Sequence, residues 1–151
     1  MSYSPHLIVL SSEIERLLKV RSSSRWCLWR IQQYGDEQVQ SELVNNEYGR
    51  VTSITLCTAG GKGEEQDKEI NDGLDRINNF LRELHEGKND FYQLSFQPLP
   101  LLARRTEEQI EEEGANEEVE AQMNNNGYYG GIKCRANQAN AETLNRFINW
   151  D

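Results

Sequence analysis

Ile70, Leu74, Ile77, Leu81 and Leu84 recur at spacings of three and four residues, with Phe80 beside them. Only an α-helix gathers positions so spaced onto one face, so the spacing predicts a helix over residues 64–86. Glu64, Glu65 and Asp67 fall in its first turn, where carboxylates complement the partial positive charge of a helix N-terminus. Gly87 stands where a left-handed C-terminal cap is wanted. A helix with one apolar stripe has to bury it against another layer. The rest of the chain must supply that layer.

Much of the remainder reads as β. Residues 25–34, RWCLWRIQQY, are rich in β-favouring types, with Trp26 and Leu28 on one face and Cys27, Trp29 and Ile31 on the other. This is the pattern of an interior strand. Residues 38–45 read as a weaker partner strand, Glu47-Tyr48-Gly49 as a turn, and Val51 to Thr58 as a strand. In Phe91 to Gln97, Tyr92, Leu94 and Phe96 alternate with Gln93, Ser95 and Gln97, as in a strand with one wetted face. Pro98 and Pro100 then end regular pairing. Tyr128 to Ala136 reads as a strand with Ile132 and Cys134 on one side and Lys133 and Arg135 on the other. Residues 11–20 and 139–150 read as helices, the second with Leu144, Phe147 and Ile148 inward. The expectation is one domain, residues 1–151, of the α+β class. It would be a mixed α/β sandwich, with a sheet of four to five strands packed by the long helix and a C-terminal helix.

Charge sets one segment apart. The net charge is −9, and eight glutamates lie within fourteen residues with no Lys or Arg among them: Glu107, Glu108, Glu111, Glu112, Glu113, Glu117, Glu118 and Glu120. Setting those eight aside leaves 17 acidic residues against 16 basic ones, a net of −1. Hydrophobic residues make up 36% of the 151, a low share for a fully packed chain. Residues 104–126 therefore read as an acidic insertion, either a solvated helix or a disordered loop. A surface so poor in excess Lys and Arg argues against general nucleic-acid binding. The eight glutamates are the expected contact for a protein partner with a basic surface, steering its approach and making association salt-dependent.

The stretch ITLCTAGGKGEEQDKE offers a competing site at Cys57, Gly60, Gly61, Lys62 and Gly63. No Ser or Thr follows Lys62, so the Walker pattern is not met. The acidic first turn after Gly63 would also compete with a phosphate for the helix end. The arrangement C-x-x-G-x-x-G resembles a cysteine-phosphatase loop, with Gly63 where such a loop needs its arginine. Cys57 is thus either a strand cysteine of no chemical consequence or the thiol of a ligand loop. His85 reads as a surface histidine near a helix C-terminus. A third option is a single-stranded nucleic-acid face, in which Trp26, Trp29, Tyr128 and Tyr129 stack bases beside Arg25 and Arg30.

Three widely spaced cysteines, Cys27, Cys57 and Cys134, form no CxxC pair, and there are two histidines. That argues against a zinc site or any other metal or cofactor, and for a reducing, cytoplasmic setting without a signal peptide. Apolar runs are short, such as Leu99 to Ala103, far from a membrane span.

FLRELHEGKNDFYQL, followed by NGYYGGIKCRA with Gly127, Gly131 and Ile132 as a strand entry, resembles the C-terminal half of the nuclease A inhibitor family. The resemblance implies a small acidic α/β/α sandwich that plugs a sugar-nonspecific nuclease. That family's acidic loop falls near residues 21–24, where this chain reads RSSS, so no inhibitory residue carries over. The leading expectation is a non-catalytic binding protein of inhibitor or regulatory-adaptor type. The competing classes are an enzyme or small-ligand module on the Cys57 loop and the nucleic-acid face.

Overall fold

A computed structural model describes residues 23–58, 64–91 and 94–148, with residues 64, 65 and 144–148 as backbone only. Among these residues there is no strand. The one extended pairing is a single antiparallel bridge between Lys88 and Phe96. The expected α+β sandwich is therefore wrong, and the described chain is all-helical. It divides into two compact units, residues 1–34 and 35–151.

In the first unit, residues 23–34 form helix α1, where a strand was expected. Helical spacing puts Trp26, Arg30 and Tyr34 in one column. The Arg30 guanidinium lies 5.3 Å from the Trp26 ring centroid and 4.5 Å from that of Tyr34. Its Nη1 also donates to the Tyr34 hydroxyl at 3.1 Å.

The second unit contains α2 (Glu37–Asn45), α3 (Tyr48–Thr58), α4 (Glu64–Glu86), α5 (Pro100–Glu112), α6 (Ala115–Gln122) and α7 (Gly131–Ile148). The weak strand over residues 38–45 is α2. Asp36 caps it, its carboxylate accepting from the Val39 N–H at 3.0 Å. The turn centred on Tyr48 is shorter than expected: Glu47 turns the chain at φ 64, and Tyr48 and Gly49 already begin α3.

Helix α3 replaces the strand over Val51 to Thr58. Its hydroxyls bond back one turn, Thr52 to the Tyr48 carbonyl, Ser53 to Gly49, Thr55 to Val51 and Thr58 to Ile54, at 2.7–3.1 Å. A β-branched, hydroxyl-rich segment thus stays helical with its polar atoms satisfied. Gly49 lets α3 approach α5: a Cβ there would lie 2.9 Å from Gln109 Oε1 and 3.0 Å from Thr106 Cγ2.

Helix α4 is the hub, packing against α3, α5 and α7. Its expected stripe is the observed one, with Ile70, Leu74, Ile77, Phe80, Leu81 and Leu84 all buried. Ile70, Leu74, Ile77 and Leu81 join Leu56 of α3, Ile110 of α5, Ala115 and Val119 of α6, and Ile132, Ala136 and Ala139 of α7, while Phe80 packs edge-on against Tyr48 of α3. Gly87 ends the helix at φ 79, as expected.

The remaining strands fail in the same way. Of Phe91 to Gln97, only Phe96 pairs among the described residues, and residues 92 and 93 lie outside them. Residues 127–130 are a turn, and Ile132 to Ala136 belong to α7, which begins eight residues before the closing helix expected over 139–150. The α/β/α sandwich implied by the nuclease-inhibitor resemblance goes with them, since Gly127 is in that turn and Gly131 and Ile132 open α7. The helix expected over residues 11–20 lies outside the described residues.

Candidate functional site

The acidic segment is built from α5 and α6. Pro100 starts α5 with φ preset for a helix, and Glu113-Gly114 breaks the run, Gly114 at φ 73 leading into α6. Ala103, Thr106, Gln109 and Ile110 on α5, and Ala115 and Val119 on α6, face the interior. Segment 104–126 therefore contributes one side to the core and turns the other to water.

The eight glutamates divide by what the fold asks of them. Glu107 is drawn inward, its Oε1 2.5 Å from His85 Nε2 in the last turn of α4. Arg50 of α3 holds two more, with Nη2 2.7 Å from Glu112 Oε2 and Nε 3.4 Å from Glu113 Oε1. Glu108 lies 3.5 Å from Arg104, an exposed pair one turn apart that contributes little. Glu118 accepts from Gln122 at 2.9 Å. Glu111, Glu117 and Glu120 are exposed and make no ion pair among the described residues. The sequence did not reveal that His85 and Arg50 claim glutamates 22 and 62 positions away.

The competing ligand loop is only partly within view. Gly60, Gly61, Lys62 and Gly63 lie outside the described residues. Cys57 is exposed near the C-terminus of α3, where a strand end was expected, and its Sγ sits 3.9 Å from the Glu113 carbonyl oxygen. Burial pushes its thiol above the ordinary value, and the carboxylates of Glu118, Glu113 and Glu117 push it the same way. A nucleophilic or metal-binding cysteine needs the opposite surroundings. Among the described residues no group of three or more His, Cys, Asp and Glu is placed to hold a metal.

The aromatic option is dispersed over the chain. Trp26 and Trp29 belong to α1 in the first unit, while Tyr128 and Tyr129 sit in the turn before α7 in the second, ring centroids 6.5 Å apart. No helix among the described residues is long and apolar enough to cross a membrane.

What this arrangement defines is an all-helical unit with an acidic outer surface on α5 and α6. Compared with protein-family models, with curated proteins and with solved structures, the chain matches none.

Proposed function

We propose that the chain is a non-catalytic binding protein whose α5–α6 surface meets a protein partner with a basic face. One observation carries this reading. Glu108, Glu111, Glu112, Glu117 and Glu120 are all exposed, on helices whose opposite side is anchored in the core. Carboxylates carried on helices need no backbone ordering on pairing, and their summed field speeds encounter with a cationic surface. The same field repels phosphate backbones, which disfavours nucleic acid as the partner. The setting we infer is the reducing cytoplasm, because Cys27, Cys57 and Cys134 are all unbridged.

Deleting the segment would be a poor test, because Ile110, Ala115 and Val119 would leave the core with it. The better test is Glu111→Gln, Glu117→Gln and Glu120→Gln together, which keeps shape and helicity. Partners captured from host lysate by the intact chain should bind the triple variant more weakly, and log Kd should depend less steeply on log salt. Equal affinity and equal salt slope would rule the acidic surface out.

A further inference from the structure

We infer that Asn126 is a spontaneous modification site, at which the side-chain amide is lost, and that the Asn125 side chain sets its rate. Asn126–Gly127 is the only Asn-Gly pair in the sequence. Asn126 is exposed, just outside α6, and glycine leaves the following peptide nitrogen unshielded. The Gly127 nitrogen attacks Cγ of Asn126. The new N–Cγ bond closes a five-membered imide as the Cγ–Nδ2 bond breaks and ammonia departs with the proton. Water then opens the ring at either carbonyl, giving aspartate or its β-linked isomer.

The nucleophile in that step is held back. The Gly127 N–H donates to Asn125 Oδ1 at 2.8 Å. Asn125 is aimed from behind: its Nδ2 donates to Gln122 Oε1 at 2.7 Å, and Gln122 Nε2 donates to Glu118 Oε1 at 2.9 Å. This chain of bonds fixes which end of the Asn125 amide faces Gly127. An amide oxygen is too weak a base to take the peptide proton, so the bond keeps the nitrogen protonated and in place. The reaction must wait for the network to open.

Gly127 lies close against α4. A Cβ at position 127 would lie 2.7 Å from Asp67 Oδ2 and 2.8 Å from Asn125 Oδ1. Both atoms end flexible side chains, so a larger residue would enter only as Asp67 and Asn125 turn aside. The product adds one negative charge. Its β-linked form lengthens the backbone directly before Tyr128 and Tyr129, which already hold φ values of 53 and 56.

The test ages the full chain in warm, mildly alkaline buffer, folded and in urea, and follows each asparagine by peptide mass mapping. Asn126 should react first in the folded chain, and more slowly there than in urea. Asn125→Ala should raise the folded rate severalfold and leave the urea rate unchanged, with circular dichroism confirming that the helices persist. Gln122→Ala, which loosens Asn125 without touching the turn, should act in the same direction. Another asparagine reacting ahead of Asn126 would overturn the site. Folded rates unchanged in both variants would overturn the role of Asn125.

Discussion

His85 Nε2 lies 2.5 Å from Glu107 Oε1, with side-chain exposures of 10% and 14%, tying the end of α4 to α5. This glutamate is engaged within the fold. Removing either member leaves a nearly buried polar group unpaired, which costs about 1–3 kcal/mol. His85→Ala and Glu107→Ala should each lower the urea midpoint accordingly. The Glu111/Glu117/Glu120 triple variant should stay within about 1.5 kcal/mol, since exposed substitutions typically change stability by less than about 0.5 kcal/mol each. A His85→Ala chain as stable as the parent would mean the pair holds nothing.

Two glycines in neighbouring helices should respond oppositely to alanine. At Gly49 the new methyl would meet Gln109 Oε1 at 2.9 Å and the Thr106 carbonyl oxygen at 3.2 Å, and the backbone atom cannot swing away. Gly49→Ala should destabilise by about 1–3 kcal/mol through overpacking. At Gly73, inside α4, the nearest atom is Leu56 Cδ1 at 3.7 Å, an ordinary contact. Gly73→Ala should stabilise by about 0.5–1 kcal/mol, because alanine has less freedom to lose on folding. Thermal unfolding of the two variants side by side checks both signs.

Tyr48 is buried edge-on against Phe80, ring centroids 4.8 Å apart, and burial pushes its phenol from 10.0 up to about 12. Arg76 pulls it down and Glu83 pushes it up, both more weakly. The unfolded chain loses this proton first. The contribution is therefore whole below pH 10 and is lost as pH rises through about 12. Each pH unit of that interval is worth about 1.4 kcal/mol, so the loss comes to about 3 kcal/mol. Tyr48→Phe should remove that part of the alkaline decline, as the difference between parent and variant urea midpoints over this range will show.

Cys57 is exposed at its surface, yet partial burial and, after it, the carboxylates of Glu118, Glu113 and Glu117 disfavour its thiolate. In a chain carrying Cys27→Ser and Cys134→Ser, iodoacetamide should modify Cys57 more slowly in the folded protein than in urea, with the pH–rate curve displaced to higher pH. Changing Glu113, Glu117 and Glu118 to Gln should recover part of the rate. Faster alkylation in the folded state would instead revive the ligand-loop chemistry.

Helix α4 was legible because its evidence is long. Over the 23 residues of Glu64–Glu86, a 3.6-residue period has room to separate from a period of two, and the stripe from Ile70 to Leu84 is what the core uses. The capping glycine after it was legible for the same reason, as local chemistry at a defined end. The segments misread as strands are short. Over about seven to ten residues, β-favouring composition outweighs periodicity, although the propensity scale spans only ~1 kcal/mol and packing readily reverses it.

Helix α3 shows how far that reversal goes. Its buried side is Tyr48, Gly49, Ser53 and Leu56, while Val51 and Ile54 face out. Position on the helix is set by how closely α5 can approach and by a serine hydroxyl satisfied within its own turn, neither of which hydropathy registers. For the candidate site, the sequence counted the glutamates but could not distribute them. Gly114 bends α5 into α6, so Ile110 and Val119 reach one core from two helices, and which carboxylates are spent on His85 and Arg50 depends on partners distant in the chain. A periodic stripe and a charge run are properties of neighbouring residues, and the sequence alone determined both. Which layer covers the stripe, and which charges remain outside, is a matter of close approach between distant segments, and only the tertiary structure decided it.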